Sequence, residues 1–289
     1  MKVTSVTSVT SVTNPPCHSV SELQDFALRI RLGSLRAISA AGLGHVGGDF
    51  SVADILGVLF GGVLRLDPSR PDWPERDRFI LSKGHAAASL YTALSLRGFL
   101  PEAELMTFAA NDSRLGGHPN RQKTPGVETN TGPLGHGLPV AVGMATGAQL
   151  QGASWRTFVI VGDGEMQEGS NWEALMYAAH RGLASLTLIV DRNRLQQGAS
   201  TEETNALDPL DQKLSAFGWD THVVDGHDVQ GLFDILAAPN HSSQPRAIVA
   251  DTIKGKGVSF MEGLAAWHHK VPSAEQVDQA IVELTGVRS

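Results

Sequence analysis

The sequence has little of three features that would indicate other classes of protein. Among its 289 residues only Cys17 is a cysteine, which excludes an intrachain disulfide and predicts a reducing, cytoplasmic location. Lysine and arginine number 23 against 30 acidic residues, and the formal net charge of −7 argues against a general nucleic-acid-binding surface. We find no apolar run of bilayer-spanning length, so we expect no membrane association.

The amino terminus has low sequence complexity. Residues 3–13 repeat Val, Thr and Ser, with no Arg-rich or signal-like character. We predict that residues 1–18 form a disordered tail, and the alternative is a β-prone strand contributed to a neighbouring chain. The chain is 42% hydrophobic, which is ample for a core. No change in composition marks a linker within residues 19–289, so we expect one domain there.

Short apolar runs alternate with segments of helical periodicity along the rest of the chain. The predicted strands cover residues 79–81, 157–161, 186–190, 223–224 and 247–252. The predicted helices cover residues 21–41, 52–64, 86–97, 140–150, 171–182 and 229–238. In residues 171–182, one helix face is predicted to consist of Trp172, Leu175, Met176 and Ala179. The alternation predicts an α/β fold, a doubly wound parallel sheet with helices on both faces.

The most informative stretch is Gly162-Asp163-Gly164, which follows one predicted strand, while Asn193 follows the next. Parallel strands joined by a helix place both residues at the carboxyl edge of the sheet, where open α/β folds bind ligands. Their side chains offer oxygen donors, which Mg²⁺ prefers, and Gly164 lets its N–H approach a phosphate. The stretch therefore predicts Mg²⁺ bridging a diphosphate. The alternative is a tight Gly-Asp-Gly turn and an unrelated asparagine.

These residues resemble the thiamine-diphosphate motif, and further segments resemble the amino-terminal part of transketolase. The segments are Gly44-His45-Val46-Gly47-Gly48, Ser82-Lys83-Gly84-His85-Ala86, Gly117-His118-Pro119, Thr131-Gly132-Pro133-Leu134-Gly135 and Trp267-His268. Their order agrees with the family, and the resemblance covers approximately residues 20–275. It implies the thiamine-diphosphate-binding fold, with thiamine diphosphate and Mg²⁺ as cofactors and Ca²⁺ or Mn²⁺ as alternative metals.

The resemblance also implies roles for individual residues. The metal would be ligated by Asp163, Asn193 and the backbone carbonyl of Leu195. The cofactor would be contacted by His85, Gly132, Pro133, Leu134, Gly164, Glu165, Asn193 and His268. The catalytic, substrate-facing residues would be His45, His118 and His268. Glu168 matches a family glutamate near the subunit interface.

Some positions depart from the family pattern. His136 stands where the family usually has Gln, and it either adds a titratable group near the thiazolium or donates the same hydrogen bond. Val46 replaces a proline. Residues 254–257 are more basic than the family loop, and of two interpretations, a phosphate contact or a solvated loop, we slightly favour the solvated loop. No role is supported for the other histidines, His18, His180, His222, His227, His241 and His269.

Complete transketolases have two further domains, and the second of their three domains supplies the glutamate and the aromatic residue that contact the aminopyrimidine. The resemblance thus implies the amino-terminal subunit of a split transketolase, active only with a partner subunit that carries the pyrimidine-binding and C-terminal domains. An α₂β₂ heterotetramer is expected. The implied reaction is transfer of a two-carbon ketol unit from a ketose, expected to be a phosphate, to an aldose. The alternatives are the α-subunit of a thiamine-diphosphate 2-oxo-acid dehydrogenase and a non-catalytic cofactor-binding subunit.

Overall fold

A computed structural model describes Cys17 and residues 19–286. Its strands are β1 (Arg78–Leu81), β2 (Thr157–Gly162), β3 (Leu186–Arg192), β4 (Asp220–Asp225) and β5 (Arg246–Asp251). They form one sheet in the order β1-β2-β3-β5-β4, and every neighbouring pair is parallel. Gly162 lies opposite Asp191 in the register of β2 and β3. Both strands therefore end at the same edge of the sheet, as predicted.

Helices surround this sheet. They are α1 (Val20–Ala41), α2 (Val46–Val58), α3 (Ala87–Leu96), α4 (Gly137–Gln151), α5 (Gly169–His180), α6 (Thr201–Asn205), α7 (Leu210–Ala216), α8 (Val229–Ala237) and α9 (Ala274–Thr285). Shorter helical turns cover Leu59–Val63, Gly84–Ala86, Glu102–Thr107, Gly164–Gln167 and Ala265–Trp267. The predicted helix at residues 21–41 is confirmed as α1, which Ser19 and Glu22 begin with a capping box.

The two faces of the sheet pack against different helices because successive strand residues point to opposite sides. Phe158 and Ile160 belong to a core shared with α1, α2, α3, α8 and α9. Val159 and Val161 belong to a second core with α4, α5 and α7. These two cores confirm the doubly wound parallel sheet with helices on both faces.

Two predictions about the α2 segment are wrong. The helix begins at Val46 and not at residue 52, because Gly47 and Gly48 are helical positions and not helix breakers. A Cβ on Gly47 would lie 2.6 Å from the carbonyl oxygen of Trp267, so glycine permits close packing of the helix. The continuous helical segment Val46–Val63 is also long and apolar enough to cross a membrane, although we expected no such run, and 94% of it is buried inside the protein.

Other differences concern elements that the hydrophobic pattern did not indicate. Helices α6, α7 and α9 were not predicted. On α5 the buried residues are Asn171, Ala174, Leu175 and Ala178. Of the predicted face, Leu175 is buried and Trp172 and Ala179 pack against the core, whereas Met176 is 60% exposed, so the prediction is wrong at Met176. The predicted tail, residues 1–18, lies outside the described residues except for Cys17. Cys17 is half-buried, and its N–H donates to the carbonyl oxygen of Gly61.

Candidate functional site

A cavity of about 270 Å³ opens at the carboxyl edge of the sheet. It is lined by Lys83, His85, Leu134, Gly162, Asp163, Gly164, Glu165, Gln167, Glu168, Asn193, Leu195, Gln196, Gln197, Lys254 and His268. The ends of β1, β2, β3 and β5 each contribute residues to this lining. The structure therefore brings the predicted metal-ligating residues and several predicted cofactor-binding residues into one place.

Asp163 lies directly after β2 and is buried. Its carboxylate accepts hydrogen bonds from the backbone N–H of Gly164 at 2.8 Å and of Arg194 at 2.5 Å, and from the Arg192 guanidinium at 3.1 Å. Burial, with a smaller contribution from the negative charge of Asp191, raises the pKa of Asp163. A cation bound beside this carboxylate would relieve the unfavourable burial of its charge.

Asn193 lies directly after β3 and is also buried. Its side-chain oxygen accepts a hydrogen bond from the N–H of Leu195 at 3.2 Å. Between them, Arg194 has a positive φ of 65°, an uncommon conformation for a residue with a side chain. This tight turn places the Asn193 side chain and Leu195 against the same cavity as Asp163.

Glu165 is buried and connects three segments of the site. Its carboxylate accepts hydrogen bonds from the N–H of Gly135 at 3.0 Å and of Gly162 at 3.1 Å, and from the Ser82 hydroxyl. Burial raises its pKa. Glu165 also lines the cavity, and its three hydrogen bonds hold together segments that form the cavity wall.

Imidazole rings form a cluster beside the cavity. The ring centroid of His45 lies 5.1 Å from that of His85 and 5.7 Å from that of His268, and His85 lies 5.3 Å from His268. His45 is the residue that precedes α2, His85 follows β1, and His268 follows a helical turn late in the chain. His269, for which the sequence supported no role, lies 4.6 Å from His45 and belongs to the cluster.

The three predicted histidines of this cluster are neutral near pH 7. Burial, followed by the charge of His269, lowers the pKa of His45 to about 4. Burial, followed by the charge of Lys254, lowers the pKa of His268 to about 3. The pKa of His85 is lowered well below its ordinary value by burial and by Lys83. A neutral imidazole can both donate and accept a hydrogen bond, which suits contact with hydroxyl groups.

Two buried lysines lie among these rings. Lys254 is 2% exposed, and its Nζ lies 2.9 Å from Nδ1 of His268, so our preference for a solvated loop is wrong at this residue. Burial, with a contribution from Lys83, lowers the pKa of Lys254 to about 8. Lys83 forms a buried ion pair with Asp191 and donates to the carbonyl oxygen of Gly48 at 2.9 Å. Lys256, in contrast, is partly exposed and lies 3.7 Å from Glu262.

The remaining predicted residues lie at the mouth of the site. His118 is exposed, its Nδ1 is 3.1 Å from the Thr131 hydroxyl, and burial of part of its ring lowers its pKa. Leu134 lines the cavity, whereas Gly132 and Pro133 are exposed and are not among its lining residues. His136 is exposed as well, and its Nδ1 lies 2.9 Å from the carbonyl oxygen of Leu134.

Sequence reasoning missed Lys83, His269, Gln196 and Gln197 as residues of the site. Lys83 belongs to the segment Ser82-Lys83-Gly84-His85-Ala86, but nothing in that segment indicates that the lysine is buried. Gln196 follows the predicted Leu195, and its buried Oε1 has no hydrogen-bond partner among the described residues. An unpartnered buried amide oxygen beside Gly164 is consistent with a polar ligand at this end of the cavity.

Comparisons with known proteins agree with this geometry. The family described as transketolase, thiamine diphosphate binding domain, matches residues 23–286. An apulose-4-phosphate transketolase subunit of Actinobacillus succinogenes is 46% identical over 273 residues, covering 94% of this chain and 99% of the relative. A 6-deoxy-6-sulfo-D-fructose transketolase subunit of Clostridium sp. is 40% identical, covering 91% and 96%.

Complete transketolases are similar over part of their length. The human enzyme is 40% identical over 271 residues, which cover 93% of this chain and 43% of the enzyme. The crystal structure of transketolase from Campylobacter jejuni superposes with a TM-score of 0.88 at 31% identity, covering 92% of this chain and 43% of that one. The matched region, the fold and the cavity agree, and this chain belongs to the transketolase thiamine diphosphate binding domain family.

Proposed function

We propose that this chain is the amino-terminal subunit of a two-component transketolase, which moves a two-carbon ketol unit from a ketose to an aldose. The observation that supports this most directly is the single cavity in which oxygen donors at the ends of β2 and β3 meet a cluster of neutral imidazoles. Proteins of a reducing compartment have few disulfides, and the single cysteine is consistent with our proposal of a cytoplasmic location.

The residues present fit thiamine diphosphate and a divalent cation. Asp163, Asn193 and the carbonyl of Leu195 would hold Mg²⁺, because carboxylate, amide and carbonyl oxygens suit a hard cation. His85 and Gly164 would contact the diphosphate, with the Gly164 N–H shared with the Asp163 carboxylate to which it donates in the structure. Leu134 would line the ring-binding part of the site. When bound, the cofactor would supply the group that accepts and releases the two-carbon fragment.

The protein's own contribution would be to orient both sugars and to handle their hydroxyl protons. His45, His118 and His268 are the residues we propose for this role, since the pKa of each is lowered and each is neutral near pH 7. Lys254, beside His268, would add positive charge where an anionic group or a developing alkoxide lies. A 2-oxo-acid dehydrogenase subunit remains the alternative function, and the set of imidazoles favours sugar chemistry.

We further propose that a partner subunit covers the outer face of α4 and α5. This outer face consists of Val140, Gly143, Gly147, Leu150, Met176 and Tyr177. Leu150 is 75% exposed and Met176 is 60% exposed, which is unusual for large apolar side chains on neighbouring helices. This chain spans 43% of the human transketolase that it matches, and the occupant we propose is a chain with the pyrimidine-binding domain.

The function is tested by mixing the chain with its candidate partner, thiamine diphosphate and Mg²⁺, then supplying either a ketose phosphate with an aldehyde or a 2-oxo acid. Two-carbon transfer to the aldehyde supports the proposal, CO₂ release supports the alternative, and no turnover with measurable cofactor binding supports a non-catalytic subunit. Because relatives are named for a sugar phosphate and a sulfosugar, donors with each terminal anion should be compared with an uncharged ketose.

The partner surface is tested by Gly143→Arg. Apart from its chain neighbours and the backbone of its own helix, nothing in the described residues lies within 4 Å of a Cβ built at Gly143, so the substitution should leave the thermal midpoint of the free chain nearly unchanged. It should weaken association with the partner at least tenfold. Val223→Arg, at another exposed apolar residue on the edge strand β4, is the matched control. Equal association of both variants would remove this surface from the proposal.

A further inference from the structure

His227 lies outside the cavity and contacts the loop that forms one of its walls. It belongs to the turn between β4 and α8, and its side chain is only 10% exposed. Its Nε2 accepts a hydrogen bond from the backbone N–H of Ile253 at 2.8 Å, and its Nδ1 lies 2.7 Å from Oδ2 of Asp54. Because Nε2 accepts, the ring proton is on Nδ1 and is donated to Asp54.

Asp54 is itself held in place by Arg31. The two guanidinium nitrogens of Arg31 donate to the two carboxylate oxygens of Asp54 at 2.9 and 2.6 Å. Burial alone would raise the pKa of Asp54, but the hydrogen bonds from His227 and Arg31 outweigh it and lower the pKa to about 2. The carboxylate on α2 is therefore charged and fixed, and it sets the orientation of the His227 ring.

The Ile253 amide belongs to the loop beyond β5 and directly precedes a cavity residue. Its neighbour Lys254 places Nζ 2.9 Å from Nδ1 of His268. On the other side of Lys254, the N–H of Gly255 donates to the carbonyl oxygen of Gly47 at 3.0 Å. Two hydrogen bonds therefore connect this loop to α2. The Gly255 N–H binds Gly47 of α2 directly, and the Ile253 N–H binds His227, which in turn contacts Asp54 of α2. This helix begins directly after His45, another member of the imidazole cluster.

We propose that His227 is a positioning residue that fixes the backbone of Ile253 and Lys254 to α2, and thereby sets the Lys254 ammonium against His268 and His45. Asp54 and Arg31 complete the contact by holding the ring in one tautomer. The anchoring of the loop concerns this chain alone, whereas its consequence for cofactor binding rests on the proposed function.

Two substitutions separate the two hydrogen bonds of the ring. In His227→Gln the amide oxygen takes the place of Nε2, so the acceptor for the Ile253 N–H is kept. In His227→Asn the shorter amide takes the place of Nδ1, so the contact with Asp54 is kept and the Ile253 N–H loses its acceptor. His222→Asn, at a partly exposed histidine on β4 that lies 3.1 Å from Asp220, is the matched control.

The first measurement is hydrogen exchange of the Ile253 amide in the free, full-length chain. We expect exchange at least tenfold faster in His227→Asn, and close to the unsubstituted rate in His227→Gln and in His222→Asn. The second is thiamine diphosphate affinity of the assembled complex with Mg²⁺, which should weaken roughly fivefold in His227→Asn and be restored by the glutamine variant.

A double-substitution cycle distinguishes positioning from general destabilisation. In a Lys254→Ala background, His227→Asn should weaken cofactor affinity less than about twofold further, because the group it positions is already absent. The proposal would be overturned if the losses of cofactor affinity from His227→Asn and Lys254→Ala were fully additive. It would also be overturned if the Asn and Gln variants had the same amide exchange rate and the same cofactor affinity. If the unsubstituted complex does not bind the cofactor, the proposed function fails, while the exchange rates still decide whether His227 anchors the loop.

Discussion

The two ends of the cavity differ in how they are built and in how burial acts on them. At one end Asp163 and Asn193 follow adjacent strands, and burial raises the pKa of the carboxyl group. At the other end, His45, Lys254 and His268 come from separate segments, and burial lowers the pKa of each. The same loss of solvent thus leaves one end favouring a cation and keeps the imidazoles of the other end uncharged.

The largest expected effect is at the oxygen-donor end. Asp163→Ala should weaken Mg²⁺-dependent retention of thiamine diphosphate in the assembled complex by roughly 100-fold or more, because the proposed charged ligand of the divalent ion is lost. Calorimetric titration measures this. Asp208→Ala is the control, since Asp208 also binds Arg192 but does not line the cavity. Unchanged cofactor affinity in Asp163→Ala would remove the metal assignment.

The next largest effect is expected on the turnover rate and not on cofactor affinity. His118→Ala and His268→Ala should each lower turnover by roughly 100-fold, the usual range for a lost proton-transfer group, while cofactor affinity changes only a few-fold. Steady-state kinetics and calorimetry on the same complexes separate the two. His241→Ala, at an exposed histidine between α8 and β5, serves as the control. If either variant lost much of its cofactor affinity but kept normal turnover at saturating cofactor, the proposed catalytic role of that histidine would be contradicted.

A smaller effect is expected behind the imidazole end, at Asp49 on α2. Its side chain is buried, one carboxylate oxygen has no hydrogen-bond partner among the described residues, and burial raises its pKa to about 7. The folded chain therefore binds this proton more tightly than the unfolded chain, so stability falls as the pH rises from about 4 to about 7. The loss is at most roughly 4 kcal/mol by linkage.

Asp49→Asn should remove that loss, because an amide has no charge to bury. We expect its thermal midpoint to exceed that of the unsubstituted chain by a few degrees at about pH 8, with a smaller gain at about pH 5. Thermal unfolding at the two pH values measures the difference. Asp234→Asn, on the exposed surface of α8, should change neither value. The same gain for Asp49→Asn at both pH values would contradict a buried, titrating carboxyl group.

The smallest effect is expected at His136, which lies beside Leu134 of the cavity lining. His136→Gln restores the residue usual in the family, and glutamine can donate the hydrogen bond that the ring can make to the Leu134 carbonyl. Turnover should change less than about twofold, and the pH profile of kcat should keep its shape. A shifted profile would instead mean that His136 titrates within the reaction.

The oxygen-donor end could be predicted from the sequence better than the imidazole end, and the reason is geometric. Asp163 and Asn193 each lie next to an apolar run, so strand order alone brings them together. His269 lies close to His45 because the loop that carries it packs against the start of α2. Contacts between segments so far apart in the chain cannot be predicted from local sequence patterns. Likewise Gly47 favours a turn by composition, yet close contact with Trp267 places it in a helix.

The three hydrogen bonds of Glu165 have a consequence for how variants of this protein are interpreted. This one carboxylate connects the end of β1, the loop before α4 and the end of β2. Shortening it would release all three segments together, so loss of cofactor from such a variant would not by itself identify Glu165 as a ligand. Genetic screens that score only activity would therefore not distinguish a residue that holds the loops together from one that binds the cofactor.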